Sequence, residues 1–249
     1  KVKSKICKML TPRQRVSVQL LIPLEMKNEM NESDFIINTP YELTNGDIEA
    51  IQKASHGIPH QDQWDKSCLR IFRDHIRDYY QYQQNFRCVY CRNVVHFRTC
   101  PWHIEHIVPK SKKPQWMYEP FNLCLACPDC NSSKLASDVL RDNNENSLPR
   151  NSEAYLIVHP HLDYYFEHIE IIDDILYKGL TPKGIFTIKI CKLNTAKRVS
   201  DRALDLYVST HGRFTMNYLV LLLSMHPECV EEMNELLEKV TDIMSKIKK

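Results

Sequence analysis

The chain has 249 residues, of which 43% are hydrophobic and 26% are charged, and its formal net charge at pH 7 is +2. This is the composition of a soluble globular protein of one large domain or two small ones, and the charge neither requires nor excludes a nucleic-acid partner. The longest apolar run, YLVLLLSM at 218–225, is too short to span a bilayer, so we expect no membrane association and a cytoplasmic location.

Cysteines and basic residues are concentrated in the middle of the chain. Six of the ten cysteines lie between Cys88 and Cys130. The segment 86–115 carries six Lys or Arg against the single acid Glu105, whereas 228–238 carries five Glu and no base. In a reducing cytosol, paired cysteines are expected to be metal ligands before they are disulfides.

Residues 1–85 form a predicted N-terminal region. VSVQLLI at 16–22 has the pattern of a strand, and TNGDIEAIQKAS at 44–55 has that of a short capped helix. An amphipathic helix is predicted over 64–82, because apolar side chains recur there at steps of three and four residues. These side chains are Cys68, Leu69, Phe72, Ile76, Tyr79 and Tyr80.

Two Cys-x-x-Cys pairs, Cys88/Cys91 and Cys127/Cys130, are separated by 35 residues. Two residues between cysteines allow both thiolates to face one tetrahedral ion, and two such pairs complete a four-thiolate zinc site. Because thiolates fill all four positions, we expect the zinc to be structural.

Spacing alone also permits Cys124/Cys127 as the second pair. We favour Cys127/Cys130, because Pro128-Asp129 is a better tight turn than the residues between Cys124 and Cys127. Cys124 and Cys100 are then expected to be core thiols.

Three polar residues near these pairs suit phosphodiester hydrolysis. Deprotonating a water near neutral pH requires a base such as a neutral imidazole, which His106 supplies. Charge at phosphorus and on the departing 3′ oxygen is stabilised by one divalent cation with oxygen ligands, which Glu105 and Asn131 supply. Such a hard, largely hydrated site favours Mg2+ or Mn2+. Adjacent side chains of a regular strand face opposite ways, so Glu105 and His106 can share a site only if the chain twists away there. We expect the strand to end near Val108-Pro109.

Lysines near this region are candidate nucleic-acid ligands. Lys134 follows Asn131 by three residues, so it either holds a phosphate or is a solvated helix lysine. Lys110 and Lys112 lie where a loop can track a groove, and such charge supplies salt-sensitive affinity for the phosphate backbone.

The remaining chain comprises a polar loop at 141–153 and a C-terminal region at 151–249. Four apolar runs predict a small antiparallel sheet: YLIVHP, FEHIEII, ILYKGL and GIFTIKICKL. Helices are predicted near 198–208, 214–225 and 228–248. The last carries a short heptad seam that packs against the core of this chain or forms a homo-oligomer contact. The seam residues are Val230, Met233, Leu237, Val240, Met244 and Ile247.

The stretch 86–141 resembles an HNH endonuclease of the zinc-braced ββα-metal type. The family pattern is a Cys-x-x-Cys, an acidic residue or His followed by His, a central Asn, and a second Cys-x-x-Cys followed by His or Asn. The matching residues are Cys88/Cys91, Glu105-His106, Asn122 and Cys127/Cys130-Asn131. The resemblance also supports the later cysteine pair.

The resemblance implies an α+β chain with a ββα-metal finger and a four-cysteine zinc site. We expect the finger to be flanked by an N-terminal helical region and by a C-terminal small β-sheet plus helices, and to pack with the C-terminal region as one unit. The resemblance further implies that His106 is the general base, that Asn122 orients His106 across the β-loop, and that Glu105 and Asn131 bind the catalytic metal. Glu and Asn replace the commoner Asp or His and the commoner final His, and both keep oxygen donors.

Three functions from different classes stay open. The first is a metal-dependent endonuclease acting on DNA, with duplex favoured. The others are a zinc-dependent nucleic-acid-binding module and an interaction scaffold, both without cleavage. IEHIVPKS and NLCLACPDCNSSK are especially similar to HNH effectors of bacterial anti-phage defence, some of which work beside an ATPase. The joint presence of Glu-His, Asn and Asn favours the endonuclease.

Overall fold

Seven helices and four short strands make up the part of the chain that the structure describes. This computed structural model describes residues 35–55, 60–94, 102–209, 216–229, 235–236 and 238–239, all within the compact unit Phe35–Lys249. The helices are α1 (Asn45–Ser55), α2 (Arg70–Gln83), α3 (Pro128–Lys134), α4 (Tyr165–His168), α5 (Pro182–Ile190), α6 (Ala196–Ser209) and α7 (Met216–Met225). The strands are β1 (His103–His106), β2 (Leu123–Ala126), β3 (Ile169–Ile172) and β4 (Leu176–Gly179). The α+β prediction is confirmed.

The N-terminal helices follow their sequence signals. Helix α1 starts at a capping box in which Thr44 Oγ1 accepts from the Asp47 N–H and Asp47 Oδ2 accepts from the Thr44 N–H. Helix α2 buries Phe72, Ile76 and Tyr80 at four-residue steps, as the apolar stripe predicts. The helix begins at residue 70 and not at 64, because 61–65 and 67–69 form separate 3-10 turns.

Strands β1 and β2 and helix α3 form the predicted ββα finger. The strands are antiparallel, with His103 opposite Ala126 and His106 opposite Leu123. Helix α3 follows directly, with Pro128 in its first turn and Cys127 as its N-cap. Strand β1 ends at His106, two residues before the predicted end. The expected twist at Glu105-His106 is absent, because both residues pair in register with β2, so their side chains leave opposite faces of the strand.

A side chain occupies the outer edge of β2. Gln84, which is fully buried, donates from Nε2 to the Leu125 carbonyl and accepts from the Leu125 N–H, both at 2.7 Å. The same Nε2 donates to the Arg87 carbonyl at 3.0 Å. The C-terminal end of α2 is thereby fixed to the finger.

The C-terminal region contains a smaller sheet than predicted. Strands β3 and β4 pair as a two-stranded antiparallel ribbon, turned by Asp173 and Asp174 at φ of 50° and 58°. The predicted strand in YLIVHP is wrong, since Tyr155 makes only an isolated bridge to Leu140.

The predicted strand in GIFTIKICKL is also wrong, because this segment lies in α5. Thr181 caps the helix by accepting from the Gly184 N–H at 3.2 Å, and Pro182 occupies its first turn. These start signals outweigh the β-branched content of the segment. Gly184 packs so closely on the His168 carbonyl that a β-carbon would overlap it.

A shared hydrophobic core joins the finger to the segments around it. One buried cluster extends from Phe35 to Leu193 and includes residues of α2, the finger and the C-terminal region. Tyr165 donates its hydroxyl to the Tyr90 carbonyl at 2.8 Å. The loop 141–153 is irregular as predicted, with Leu148 buried. The boundaries proposed at 85, 141 and 151 stay predictions.

Two sequence predictions fall outside the described residues. They are the strand at 16–22 and the six seam positions of the C-terminal heptad. Within the described part of the chain, every helix is too short or too polar to cross a membrane.

Candidate metal centre and active site

The two Cys-x-x-Cys pairs meet in space. The Sγ atoms of Cys88, Cys91, Cys127 and Cys130 all lie within 4.8 Å of one another, and those of Cys91 and Cys127 are 3.8 Å apart. A tetrahedron of sulfurs at the usual Zn–S length of about 2.3 Å has edges of about 3.8 Å. The cluster therefore has the ligand set and approximate spacing of a four-thiolate zinc site.

The structure selects Cys127/Cys130 as the second pair. Cys124 lies in β2 opposite Glu105 and takes no part in the cluster. Burial raises the pKa of the Cys124 thiol well above its ordinary value, as expected of a core thiol. Cys100 lies outside the described residues.

Backbone geometry prepares the sulfurs for a metal. The N–H of Cys127 donates to Cys88 Sγ at 3.3 Å, and the N–H of Cys130 donates to Cys127 Sγ at 3.4 Å. Because both donors come from the start of α3, the helix N-terminus stabilises negative charge on the thiolates.

Glu105 lies in β1 with its carboxylate buried. Lys134 places Nζ 2.5 Å from Glu105 Oε1, and the Tyr90 hydroxyl donates to the same oxygen at 3.2 Å. Burial raises the pKa of Glu105, while the Lys134 ammonium and the two hydrogen bonds oppose that rise.

His106, the last residue of β1, is 7% exposed. Its Nε2 lies 3.1 Å from the Met117 carbonyl, which can only accept, so Nε2 carries the proton and Nδ1 keeps its lone pair. Trp64 packs edge-on against the imidazole with ring centroids 4.4 Å apart. Burial lowers the pKa of His106 to about 3, and Lys110 adds to the effect. The ring is therefore neutral at neutral pH.

Asn122 fixes the loop that follows His106. Its Oδ1 accepts from the Val108 N–H at 2.8 Å, and its Nδ2 donates to the carbonyls of Val108 and Trp116 at 3.0 and 3.2 Å. These contacts reach the backbone two residues beyond His106 and one residue before Met117. Asn122 thus holds the loop backbone at two points, one after His106 and one just before Met117, whose carbonyl contacts the imidazole.

Strand β1 and helix α3 contact each other through two pairs of polar side chains. His103 and Glu105 share one face of the strand, and Asn131 and Lys134 share one face of the helix. His103 Nδ1 lies 2.9 Å from Asn131 Nδ2, and Glu105 pairs with Lys134. The two predicted cation ligands, Glu105 and Asn131, therefore each have a different partner here.

The predicted nucleic-acid-binding lysines are differently placed. Lys134 is fully buried and also donates to the His106 carbonyl at 3.0 Å, so its position does not support a phosphate contact. Lys110 donates to the Gln61 carbonyl at 3.1 Å, and the exposed Lys112 pairs with Asp138.

Sequence reasoning missed three residues that contact this region. Tyr90 lies inside the first Cys-x-x-Cys, Trp64 lies in the segment predicted as helix, and Arg198 reaches Cys130 Sγ at 3.1 Å. Only Tyr90 carried a local signal, because its two cysteine neighbours already marked the segment. The other two come from distant parts of the chain.

Comparison with known proteins identifies the segment that contains this site. Residues 88–136 match the family model described as HNH endonuclease. The matched span contains both cysteine pairs, β1, β2 and α3, so the chain contains an HNH endonuclease domain with a four-cysteine cluster. A search of curated proteins found no match to the chain.

Proposed function

We propose that this chain is a metal-dependent endonuclease that hydrolyses DNA phosphodiester bonds with His106 as general base. The observation that carries the proposal is the state of His106. It lies inside the HNH match, and its Nε2 is fixed on the Met117 carbonyl, so Nδ1 keeps its lone pair. A neutral imidazole of fixed tautomer is the form that a general base requires.

Nδ1 of His106 is the atom that accepts the proton. As a water oxygen forms its bond to phosphorus, its proton passes to Nδ1, and the bond from phosphorus to the 3′ oxygen breaks. The Nε2 contact with Met117 holds the ring during this transfer, and the Asn122 bonds hold the loop that carries that carbonyl. Geometry of this kind supplies part of the rate by orientation.

Glu105 and Asn131 are the residues that would hold the catalytic cation. A carboxylate and an amide oxygen suit Mg2+ or Mn2+, and such an ion would stabilise the departing oxygen. Glu105 is buried with Lys134 as its partner, and Asn131 Nδ2 points to His103. In the structure, Lys134 compensates the charge of the Glu105 carboxylate.

Contact with the DNA backbone would fall to Lys110 and Lys112 beside the loop that follows β1. We favour duplex DNA on the HNH match alone. An anti-phage effector role and an ATPase partner depend on the resemblance of IEHIVPKS and NLCLACPDCNSSK, and a homo-oligomer contact depends on the C-terminal seam. All three stay predictions.

A second function has a specific observation in its favour. His106 is 7% exposed and Glu105 is 4% exposed, with a lysine on its carboxylate. This arrangement suits a zinc-braced binding module or scaffold that does not cleave. Cleavage assays separate the two functions.

The test is plasmid nicking by the zinc-loaded full chain with Mg2+, Mn2+ or EDTA. We expect His106→Ala to abolish nicking while zinc stays bound. The matched control is His161→Ala, because His161 is also buried and also places Nε2 on a carbonyl, that of Leu123 at 3.0 Å. Equal nicking by wild type and His106→Ala would remove His106 as the base. A folded wild type that binds DNA without nicking it would favour the second function.

A further inference from the structure

One arginine outside the HNH match reaches the cysteine cluster. Arg198 lies in the first turn of α6, 68 residues beyond Cys130. Its Nη2 donates to Cys130 Sγ at 3.1 Å, and its Nη1 donates to the Cys191 carbonyl at 2.6 Å. Because the guanidinium fork is planar and rigid, the contact with Cys191 aims Nη2 at the sulfur.

The cluster carries charge that its surroundings must offset. Four thiolates around one Zn2+ have a formal net charge of about −2. Cys88, Cys91 and Cys130 are buried, and a buried net charge is unfavourable unless opposite charge or hydrogen-bond donors compensate it. Two backbone N–H groups supply part of this compensation, at Cys88 and Cys127. Over the described ranges, Arg198 is the one charged side chain that donates to a cluster sulfur.

Neighbouring cations are directed elsewhere. Arg92 follows Cys91 directly, but its guanidinium lies over the Phe35 ring, 3.4 Å from the centroid. Lys134 shares helix α3 with Cys130 but pairs with Glu105. Of these three cations, Arg198 is therefore the one whose side chain contacts a cluster sulfur.

The same C-terminal region also holds the first cysteine pair. Tyr177, in β4, donates its hydroxyl to the Cys91 carbonyl at 2.6 Å. Asn194 fixes Tyr177 in turn, because its side chain bonds both the N–H and the carbonyl of that residue, at 3.0 and 2.7 Å. Residues 177–198 thus contact both halves of the cluster.

We propose that Arg198 is a charge-compensating and positioning residue of the zinc centre, so that the HNH domain retains its metal through helix α6. The guanidinium donates to Cys130 Sγ and neutralises part of the cluster charge. Mutation of residues that contact metal ligands typically lowers metal affinity by about 10- to 100-fold. The proposal depends on zinc as the occupant and not on nuclease activity, so nicking assays do not decide it.

Zinc release from the zinc-loaded full chain to excess chromogenic chelator is the first measurement. Arg198→Met keeps the aliphatic stem and should release zinc about 10- to 100-fold faster than wild type. Arg198→Lys keeps the charge but loses the fork, so its rate should be intermediate. The matched control is Arg73→Met, because Arg73 is partly buried, donates to the carbonyls of Trp64 and Lys66, and makes no described contact with the cluster.

Replacement of zinc by Co2+ supplies a readout that reports on the sulfurs. The thiolate-to-cobalt charge-transfer band should move in Arg198→Met and keep its position in Arg73→Met, because Arg73 donates to carbonyls outside the cluster. A wild-type release rate with an unmoved band in Arg198→Met overturns the proposal, and so does equally fast release from Arg73→Met. Should Arg198→Met fail to fold, wild-type release by Arg198→Lys overturns it instead.

Discussion

Removing the Lys134 ammonium tests whether the Glu105–Lys134 pair organises the interior of the finger. Lys134 is fully buried, with Nζ 2.5 Å from Glu105 Oε1 and 3.0 Å from the His106 carbonyl. Lys134→Met keeps a similar stem and leaves the Glu105 carboxylate buried with only the Tyr90 hydroxyl as a described donor. A buried charge without its partner strongly disfavours the folded state.

The expected loss follows from this burial. Breaking a buried ion pair costs about 3–5 kcal/mol. For a chain of this size, 1 kcal/mol shifts the melting temperature by about 2–4 °C, so the variant should melt roughly 6–20 °C below wild type. Lys112→Met is the control, because Lys112 and Asp138 are 35% and 53% exposed and such a pair contributes about 0–1 kcal/mol.

The pH dependence of the loss identifies Glu105 as its source. Burial already raises the pKa of Glu105, and removing Lys134 raises it further above the unfolded value. A carboxyl with a raised folded pKa destabilises the fold above that pKa, and the penalty shrinks as pH falls toward the unfolded value of about 4.3. Urea unfolding at pH 8 and pH 5 should therefore show a smaller gap between variant and wild type at pH 5.

The double variant Glu105→Gln, Lys134→Met should recover much of the lost stability, because no buried charge remains. If Lys134→Met unfolds within 1 kcal/mol of wild type at pH 8, the ammonium does not compensate Glu105. An equal loss at pH 5 and pH 8 would also refute the reasoning.

Three further predictions concern the buried histidines, the zinc and Trp64. Burial lowers the pKa of His106 to about 3 and that of His161 to about 4. As pH falls below the unfolded pKa of about 6.5, the free energy of unfolding should therefore decrease by about 1.4 kcal/mol per pH unit for each histidine. Unchanged urea midpoints from pH 7 to 5 would contradict this. Cys88→Ala should lose zinc and on the order of 10 kcal/mol of folding free energy; a zinc-free chain with wild-type circular dichroism would exclude a structural metal. Trp64→Ala should admit water to His106 and raise the pKa of His106 toward 6.5. An unchanged imidazole titration by NMR would show that Trp64 does not shield the ring from water.

The cysteine pairs and the ββα order could be predicted because their signals are local. Two residues between cysteines restrict the geometry of each turn, and Cys127-Pro128 marks a helix start in the sequence itself. The α2 stripe was predictable for the same reason, since its periodicity lies within one segment. Local start signals also explain the error over α5, where Thr181-Pro182 outweighed an apolar run that resembled a strand.

The partners of the site residues could not be predicted, because they depend on how distant segments pack. Glu105 meets Lys134 only through the register of β1 against α3, and Trp64 reaches His106 across 42 positions of chain. Arg198 lies in α6 and Cys130 in α3, and no local sequence pattern indicates that these two helices meet. The roles of His106, Glu105 and Asn131 stay predictions that the proposed assays test.

The amide of Gln84 has a consequence for behaviour at high concentration. A two-stranded sheet has two edges on which a foreign chain can add a strand and start aggregation. On β2, both backbone groups of Leu125 are already bonded to Gln84, and Val89 also donates to the Leu125 carbonyl. At Leu125, this edge is therefore closed to strand addition by groups of the same chain, although the sheet is only two strands wide.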